Sequence, residues 1–479
     1  MAVLGGLEPQ RVFHWFEEIC RIPHGSGHTK ALSDYLVSFA EKRGLAVRQD
    51  ALGNVIMKKP ATPGYESAPA VLLQGHMDMV CEKEPGCEKD MDTQGLDLAV
   101  DGDTVYAVGT TLGADDGIAV AMILALLESE ELPHPALEAV LTVDEETGMT
   151  GASGIDVSDL RSRLLINLDS EVEGIFTAGC AGGAMARISL PVKREAFAGE
   201  LCEITVSGLT GGHSGIEIDQ GRANADVLLG RVLYAVSRAA AMRMVSVAGG
   251  NMDNAIPTTA TAVLMVESRE EAAAACRAME AVFRREYAVA DGNVTVEISP
   301  LQAGPLPMDA DSTRRVLTLL QCAPNGVQEM SREVEGMVQT SLNLGILTTT
   351  EGGVQASFCV RGNINSQKEM LLHRLELLGE ALGGTYSVSG VYPAWEYRAD
   401  SPLRSLMSEI FAEQYGHAPT VEVIHAGVEC GLLADKLPGL DCVSIGPDLT
   451  QIHTPRERMH IASVRRTWAL VTETLRRIH

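Results

Sequence analysis

The sequence predicts an α/β domain whose mixed, mostly parallel sheet is covered by helices, interrupted by an inserted α+β domain with two similar halves. Three observations carry that expectation. Helix-like and strand-like segments alternate over residues 1–185, as they do where helices connect and cover the strands of one sheet. Over residues 186–392 the texture changes, and a strand–helix–strand pattern occurs twice. Over residues 393–479 the α/β texture returns, so both ends of the chain are expected to build one domain around the middle segment.

The elements follow in order. "QRVFHWFEEICRI" has helical periodicity, and "HTKALSDYLVSFAEKRG" is a second helix ending at Gly44. "LAVRQDALGNVIMKK" reads as a hairpin, and Val71, Leu72 and Leu73 begin a short buried strand. "DDGIAVAMILALLESEEL" is an apolar, Ala-rich helix stopped by Pro133, while "ALEAVLTVDEETG" and "SRLLINLDSE" are strands running into acidic residues. In the middle segment, "LCEITVSGL" is a strand and "GRANADVLLGRVLYAVSRAAA" a long helix. The two repeats are "AVLMVESREEAAAACRAMEAVFRREYAVADGNVTVEIS" and "VQASFCVRGNINSQKEMLLHRLELLGEALGGTYSVSGVY", alike in pattern and only slightly in identity. The last part offers a helix at "PLRSLMSEIFAEQYG", strands at "TVEVIHAG" and "DCVSIGP", and a closing helix.

Composition excludes some classes. A chain of 479 residues with 46 % apolar content can hold two or three cores. Thirty-eight Lys and Arg against 64 Asp and Glu give a formal charge of −26, which argues against nucleic acid or an anionic membrane as a partner. The opening residues lack a basic segment followed by an apolar core, and no run approaches the length of a membrane span. The ten cysteines are scattered without CxxC pairs, so a reduced, cytoplasmic protein is expected.

The stretch "APAVLLQGHMDMV" ends a buried strand in His76-Met77-Asp78. Alternation points His76 and Asp78 the same way. The pair reads either as a polar closure of the strand or as a metal ligand with a carboxylate behind it. Asp115 and Asp116 precede a helix and could be ordinary N-terminal caps. Glu145 and Glu146 follow one strand, Asp169 follows another, and His453 lies in a loop after a third. Each has a bland explanation by itself. Together they gather where ligands bind in open α/β sheets, beyond the carboxyl ends of the strands. Two imidazoles with three carboxylates suit two divalent ions such as zinc. Two ions sharing a carboxylate and a water make that water a hydroxide near neutral pH, and a spare carboxylate beside it is placed to act as general base.

"GHMDMV", "GTTLGADDGIAVAM", "DEETGMTGA", "LLINLDSE", "GGHSGIEIDQGRANA" and "IHTPRERM" resemble the M20 metallopeptidase family, and within it the Xaa-His dipeptidases, over nearly the whole chain. The resemblance implies a catalytic domain with two metal ions, Zn2+ before Mn2+ or Co2+, and an inserted lid domain. It implies that His76 and Asp169 hold one ion, Glu146 and His453 the other, and that Asp115 bridges them. Asp78 would hydrogen-bond His76 and fix its tautomer, Glu145 would be the general acid/base, and the Asp115–Asp116 peptide would be cis. Asp116 stands where the family often has Asn. His213, otherwise a shaper of a glycine-rich turn, would stabilise the oxyanion. Asn254, otherwise a turn residue, would touch substrate. Arg361, otherwise a solvated strand-end charge, would take the substrate carboxylate, and Gly427 would add backbone contacts there. His425 and His460 read as structural, His24 and His28 as turn residues, and Glu429 has no evident role. The implied assembly is a homodimer through the lid.

The function that follows is hydrolysis of small dipeptides, Xaa-His such as carnosine or a broader set, by attack of a metal-bridging hydroxide. The alternatives are an M20 deacylase or aminopeptidase on other small amides, and a non-catalytic peptide-binding member; the presence of Glu145 beside the full ligand set speaks against the latter. A cysteine-nucleophile hydrolase lacks a recognisable Cys–His signature.

Overall fold

The computed structural model describes residues 2–479. It divides into two compact units. The first comprises the chain up to Gly179 with Tyr397–Val423 and Val428–His479; the second comprises Cys180–Glu396 with Ile424–Gly427.

The first unit is built on an eight-stranded sheet in the order Ala46–Gln49, Val55–Lys59, Leu137–Thr142, Val71–His76, Leu164–Asn167, Asp441–Ser444, Ile175–Cys180, Thr420–Ile424. The four middle strands pair in parallel, with Val71–His76 flanked by Leu137–Thr142 and Leu164–Asn167, and Asp441–Ser444 beyond. Three pairings outside them are antiparallel. The sheet is therefore mixed, with a parallel centre flanked by antiparallel pairings on both sides. The reason is the local connection: Ala46–Gln49 and Val55–Lys59 are joined by a five-residue turn, which permits only antiparallel pairing, whereas parallel neighbours need a long crossover.

Every residue of Val71–His76 and of Leu137–Thr142 is buried, as expected of parallel strands covered on both faces. The helix Ala114–Glu128 is apolar all round and almost wholly buried. It runs beside Val71–His76 and beneath the amphipathic helix Gln10–Cys20, which contributes Val12, Phe13, Phe16 and Ile19 to the core. A small sheet, Leu449–Thr450, Arg458–His460, Thr104–Ala107 and Leu98–Asp101, flanks the main one. Its strands are two to four residues long, too short for periodicity to reveal.

The second unit carries an antiparallel sheet. Outward from its middle, one side runs Met242–Gly249, Ala260–Val266, Glu200–Ser207, Thr295–Pro300. The other runs Val338–Thr350, Gly353–Gly362, Gly182–Pro191, Thr385–Tyr392. The two sides meet through Gly249 opposite Leu347. In each, the second and fourth strands are joined by one helix, Arg269–Glu286 or Asn365–Ala381. The whole of the first side lies in sequence between Gly182–Pro191 and Val338–Thr350, so one half is threaded into the other.

Candidate metal and catalytic centre

The centre of the first unit lies at the carboxyl ends of the parallel strands. His76 is the last residue of its strand, Asp169 stands two residues past Leu164–Asn167, and Glu145 and Glu146 stand just past Leu137–Thr142. Asp115 lies at the start of the helix Ala114–Glu128 but is not helical, with φ −82° and ψ 103°; its peptide to Asp116 is cis. His453 and Asp144 occupy the left-handed region, at φ 58° and 54°, a conformation that non-glycine residues adopt mainly where surrounding structure enforces it.

The two carboxylate oxygens of Asp115 face different imidazoles. Oδ1 is 3.1 Å from His76 Nε2, and Oδ2 is 3.1 Å from His453 Nε2. Asp169 Oδ1 is 3.4 Å from His76 Nε2, and Glu146 Oε1 is 2.9 Å from His453 Nε2. His76 Nδ1 lies 2.9 Å from the backbone carbonyl of Asp78. The Asp78 carbonyl accepts from a proton on Nδ1, so Nε2 is the nitrogen turned toward Asp115 and Asp169. Three overlapping groups, His76 with Asp116 and Asp169, His76 with Glu145 and Glu146, and Asp115 with Glu146 and His453, each bring their donor atoms within 4.8 Å of one another, a set that suits divalent zinc, manganese or cobalt.

The electrostatics follow from crowding. Burial raises the Asp115 carboxyl, but hydrogen bonds with His453 and His76 outweigh it and hold it well below the usual range. Hydrogen bonds to Asp115 and Glu146 push His453 up to about 10. Burial lowers His76, but Asp169 and Asp115 overcome it and raise it well above its usual value. Burial, then Asp169, pushes Glu145 up to about 9. Asp116 also belongs to the cluster, near His76 and Asp169. Its Oδ2 accepts the His76 backbone N–H at 3.1 Å, and burial together with Asp169 raises it well above the usual carboxylate range.

Asp78 differs from its expected role. Its carboxylate is 3.6 Å from His76 Nδ1, farther than its own carbonyl oxygen. It accepts instead from the Ser26 hydroxyl at 2.8 Å and from the backbone N–H groups of Glu145 and Glu146 at 3.0 and 3.3 Å. The strand ends at His76, so alternation no longer governs Asp78. Glu429, without an evident role in the sequence, is wholly buried. Its Oε2 accepts from Thr142 at 2.6 Å and from Gln74, whose amide oxygen accepts from Asn167. These side chains tie three parallel strands together two to four residues before the ligands; burial pushes Glu429 up to about 7.

The second unit holds the other expected residues. His213 Nδ1 accepts from the backbone N–H groups of Gly215 and Ile216 at 3.1 and 3.2 Å. Burial, then Arg361, lowers its pKa, so the ring is neutral with its proton on Nε2. Arg361 is buried, and one Nη donates to the Tyr392 hydroxyl at 3.1 Å. Its Nε has no partner, and no carboxylate pairs with it among the described residues. His425 bonds Asn363 Oδ1 and the Ser341 hydroxyl, both at 2.7 Å; burial and Arg361 push it down to about 3, so it is a neutral structural residue. The Asn254 carbonyl accepts the Ser214 N–H at 2.8 Å, next to His213. Gly427 lies against Tyr392: a Cβ there would come within 2.5 Å of the ring.

The sequence profile of peptidase family M20/M25/M40 matches residues 72–477. The cytosol non-specific dipeptidase of Escherichia coli is 38 % identical over 482 residues, spanning 100 % of this chain and 99 % of that protein. The crystal structure of aminoacylhistidine dipeptidase from Vibrio alginolyticus superposes with a TM-score of 0.95 at 37 % identity, covering 99 % of this chain and 98 % of that one. Aminopeptidase PepT from Bacillus cereus, at 16 % identity and a TM-score of 0.56 over 98 % of both chains, shares the fold. The chain belongs to the M20 peptidase family.

Proposed function

We propose that this protein is a dinuclear metal-dependent dipeptidase of broad side-chain preference that includes Xaa-His substrates such as carnosine. The observation that carries the reading is Asp115, whose two oxygens each face one imidazole Nε2 at 3.1 Å. A single ion needs no such division; a carboxylate shared between two does. The names of the Escherichia coli and Vibrio alginolyticus relatives, full-length matches at 38 and 37 % identity, support dipeptides as the substrate class.

In this reading His76 and Asp169 would hold one ion, His453 and Glu146 the other, and Asp115 would serve both. Zinc, when bound, would supply a Lewis acid for the scissile carbonyl and would lower the pKa of a water there. Glu145, neighbouring Glu146 but not facing either imidazole at hydrogen-bond distance, would have its raised pKa lowered by the charge of bound ions and would then take a proton from a water and return it to the leaving amine. His213, its Nδ1 occupied by backbone N–H groups, offers Nε2–H to an oxyanion. Arg361, without a carboxylate partner, receives the substrate carboxylate, with Asn254 and the backbone at Gly427 beside it. The protein works in the cytoplasm as a homodimer through the second unit, which acts as a lid.

The test is a substrate panel on chelator-stripped protein reloaded with zinc, manganese or cobalt. Dipeptides, carnosine included, should be cleaved only after reloading, with tripeptides and N-acyl amino acids poor. Preference for N-acyl amino acids would establish a deacylase instead. Full activity in the stripped protein would overturn the reading. Sedimentation should give a dimer mass.

A further inference from the structure

We propose that Glu457 is a positioning residue that holds Asp115 between the two imidazoles and ties it to the His453 loop. The inference rests on the dinuclear reading of this centre.

The segment before the helix Ala114–Glu128 cannot satisfy its own backbone. Asp115 and Asp116 depart from helical geometry, and the N–H groups at a helix start have no partner within the helix. Gly113 has φ 65°, and a Cβ there would also strike the Met79 sulfur at 2.6 Å. The resulting turn points successive N–H groups inward, a concavity that fits an anion. Glu457 fills it. Oε2 accepts from Leu112 and Gly113 at 2.7 and 3.0 Å, and Oε1 accepts from Ala114 at 2.8 Å and from Asp115 at 3.4 Å. The side chain is 3 % exposed, and no Lys or Arg pairs with it among the described residues. Its partners are the N–H groups and the positive end of the helix.

The other end of Glu457 is equally constrained. It stands four residues after His453, its N–H donates to the Thr454 carbonyl at 3.1 Å, and Thr454 Oγ1 donates to the Gln451 carbonyl at 2.7 Å. The next residues, Arg458–His460, are a strand paired with Thr104–Ala107. One carboxylate therefore joins the backbone of one proposed ligand to the turn that carries another. Neutralising it leaves N–H groups that water cannot reach, and the segment must move to satisfy them. Asp115 faces two imidazoles at once, so a shift that favours one contact lengthens the other.

Glu457→Gln is nearly isosteric, but its amide N–H2 must confront backbone N–H donors. Metal affinity, measured by calorimetric titration of zinc into stripped protein, should fall by about 10- to 100-fold, the scale for residues that orient ligands. The zinc-induced rise in unfolding temperature should shrink, kcat should fall, and KM should change little. A residue that only stabilises the fold would lower the unfolding temperature of stripped and loaded protein alike and leave zinc affinity unchanged; that result would overturn the inference. Should Glu457→Gln fail to fold, Glu457→Asp carries the test, since it keeps the charge and withdraws it by one methylene. It should weaken zinc binding, and wild-type affinity in it would also overturn the inference. Asp115→Asn separates the two levels. If it keeps wild-type zinc binding, the dinuclear reading itself fails. If it loses zinc while the Glu457 variants do not, only the positioning role fails.

Discussion

The Asp78 carboxylate accepts the backbone N–H of Glu145 at 3.0 Å, while its own carbonyl lies 2.9 Å from His76 Nδ1. One residue thus sets the orientation of a proposed ligand and the position of the proposed proton carrier. Burial raises Asp78, but the nearby His76 ring, the Ser26 hydroxyl and the Glu145 N–H outweigh it and keep the carboxyl below its usual value. Asp78→Ala should lower kcat/KM by about 10- to 100-fold with the fold intact. Steady-state kinetics beside circular dichroism check this; an activity within about twofold of wild type would remove Asp78 from the machinery.

Glu145→Gln preserves shape and removes the proton acceptor. Turnover should fall by at least about 10²-fold. Bound metal, measured by atomic emission, should stay near wild type, because Glu146 rather than Glu145 faces His453 at 2.9 Å. Loss of both ions would mean that the two glutamates exchange roles.

Arg361→Met tests recognition of the substrate carboxylate. Hydrogen bonds to a charged group contribute about 1.5–3 kcal/mol, so KM for a free-acid dipeptide should rise by roughly 10- to 100-fold. The C-terminal amide of the same dipeptide should be affected far less. Equal losses on acid and amide would assign Arg361 to packing against Tyr392.

Asp226 gives a stability prediction away from the metal centre. It is wholly buried in the second unit, both carboxyl oxygens lack a partner, and burial pushes it from 3.8 up to about 8. A folded-state pKa above the unfolded one means that its favourable contribution is full below the unfolded pKa and is lost as pH rises through the folded one. Asp226→Asn has no proton to lose. Urea unfolding should show the variant gaining on wild type as pH rises from about 5 to about 8. A difference that stays constant across that range would show that Asp226 is not a buried protonated carboxyl.

Legible in the residues alone were the run of strands and helices that carries the centre, the positions of His76, Asp115, Glu145, Glu146 and Asp169 at strand and helix ends, and His453 in a loop after a strand. Those features are local. An apolar run ending in a polar residue is visible within ten residues, and the sheet then gathers such ends on one edge. His425 was legible in the same way as a structural histidine. The fold had to be seen before the antiparallel pairings around the parallel centre of the sheet, the threading of one half of the second unit into the other, the turn of Asp78 toward Glu145, the placing of Glu429 beneath the ligands, and the capture of four N–H groups by Glu457 became visible. The physical reason is distance along the chain. Glu457 lies 342 residues from Asp115, and Glu429 lies 355 from Gln74. A buried donor must find an acceptor wherever the fold brings one, and no periodicity within a segment records which acceptor that will be.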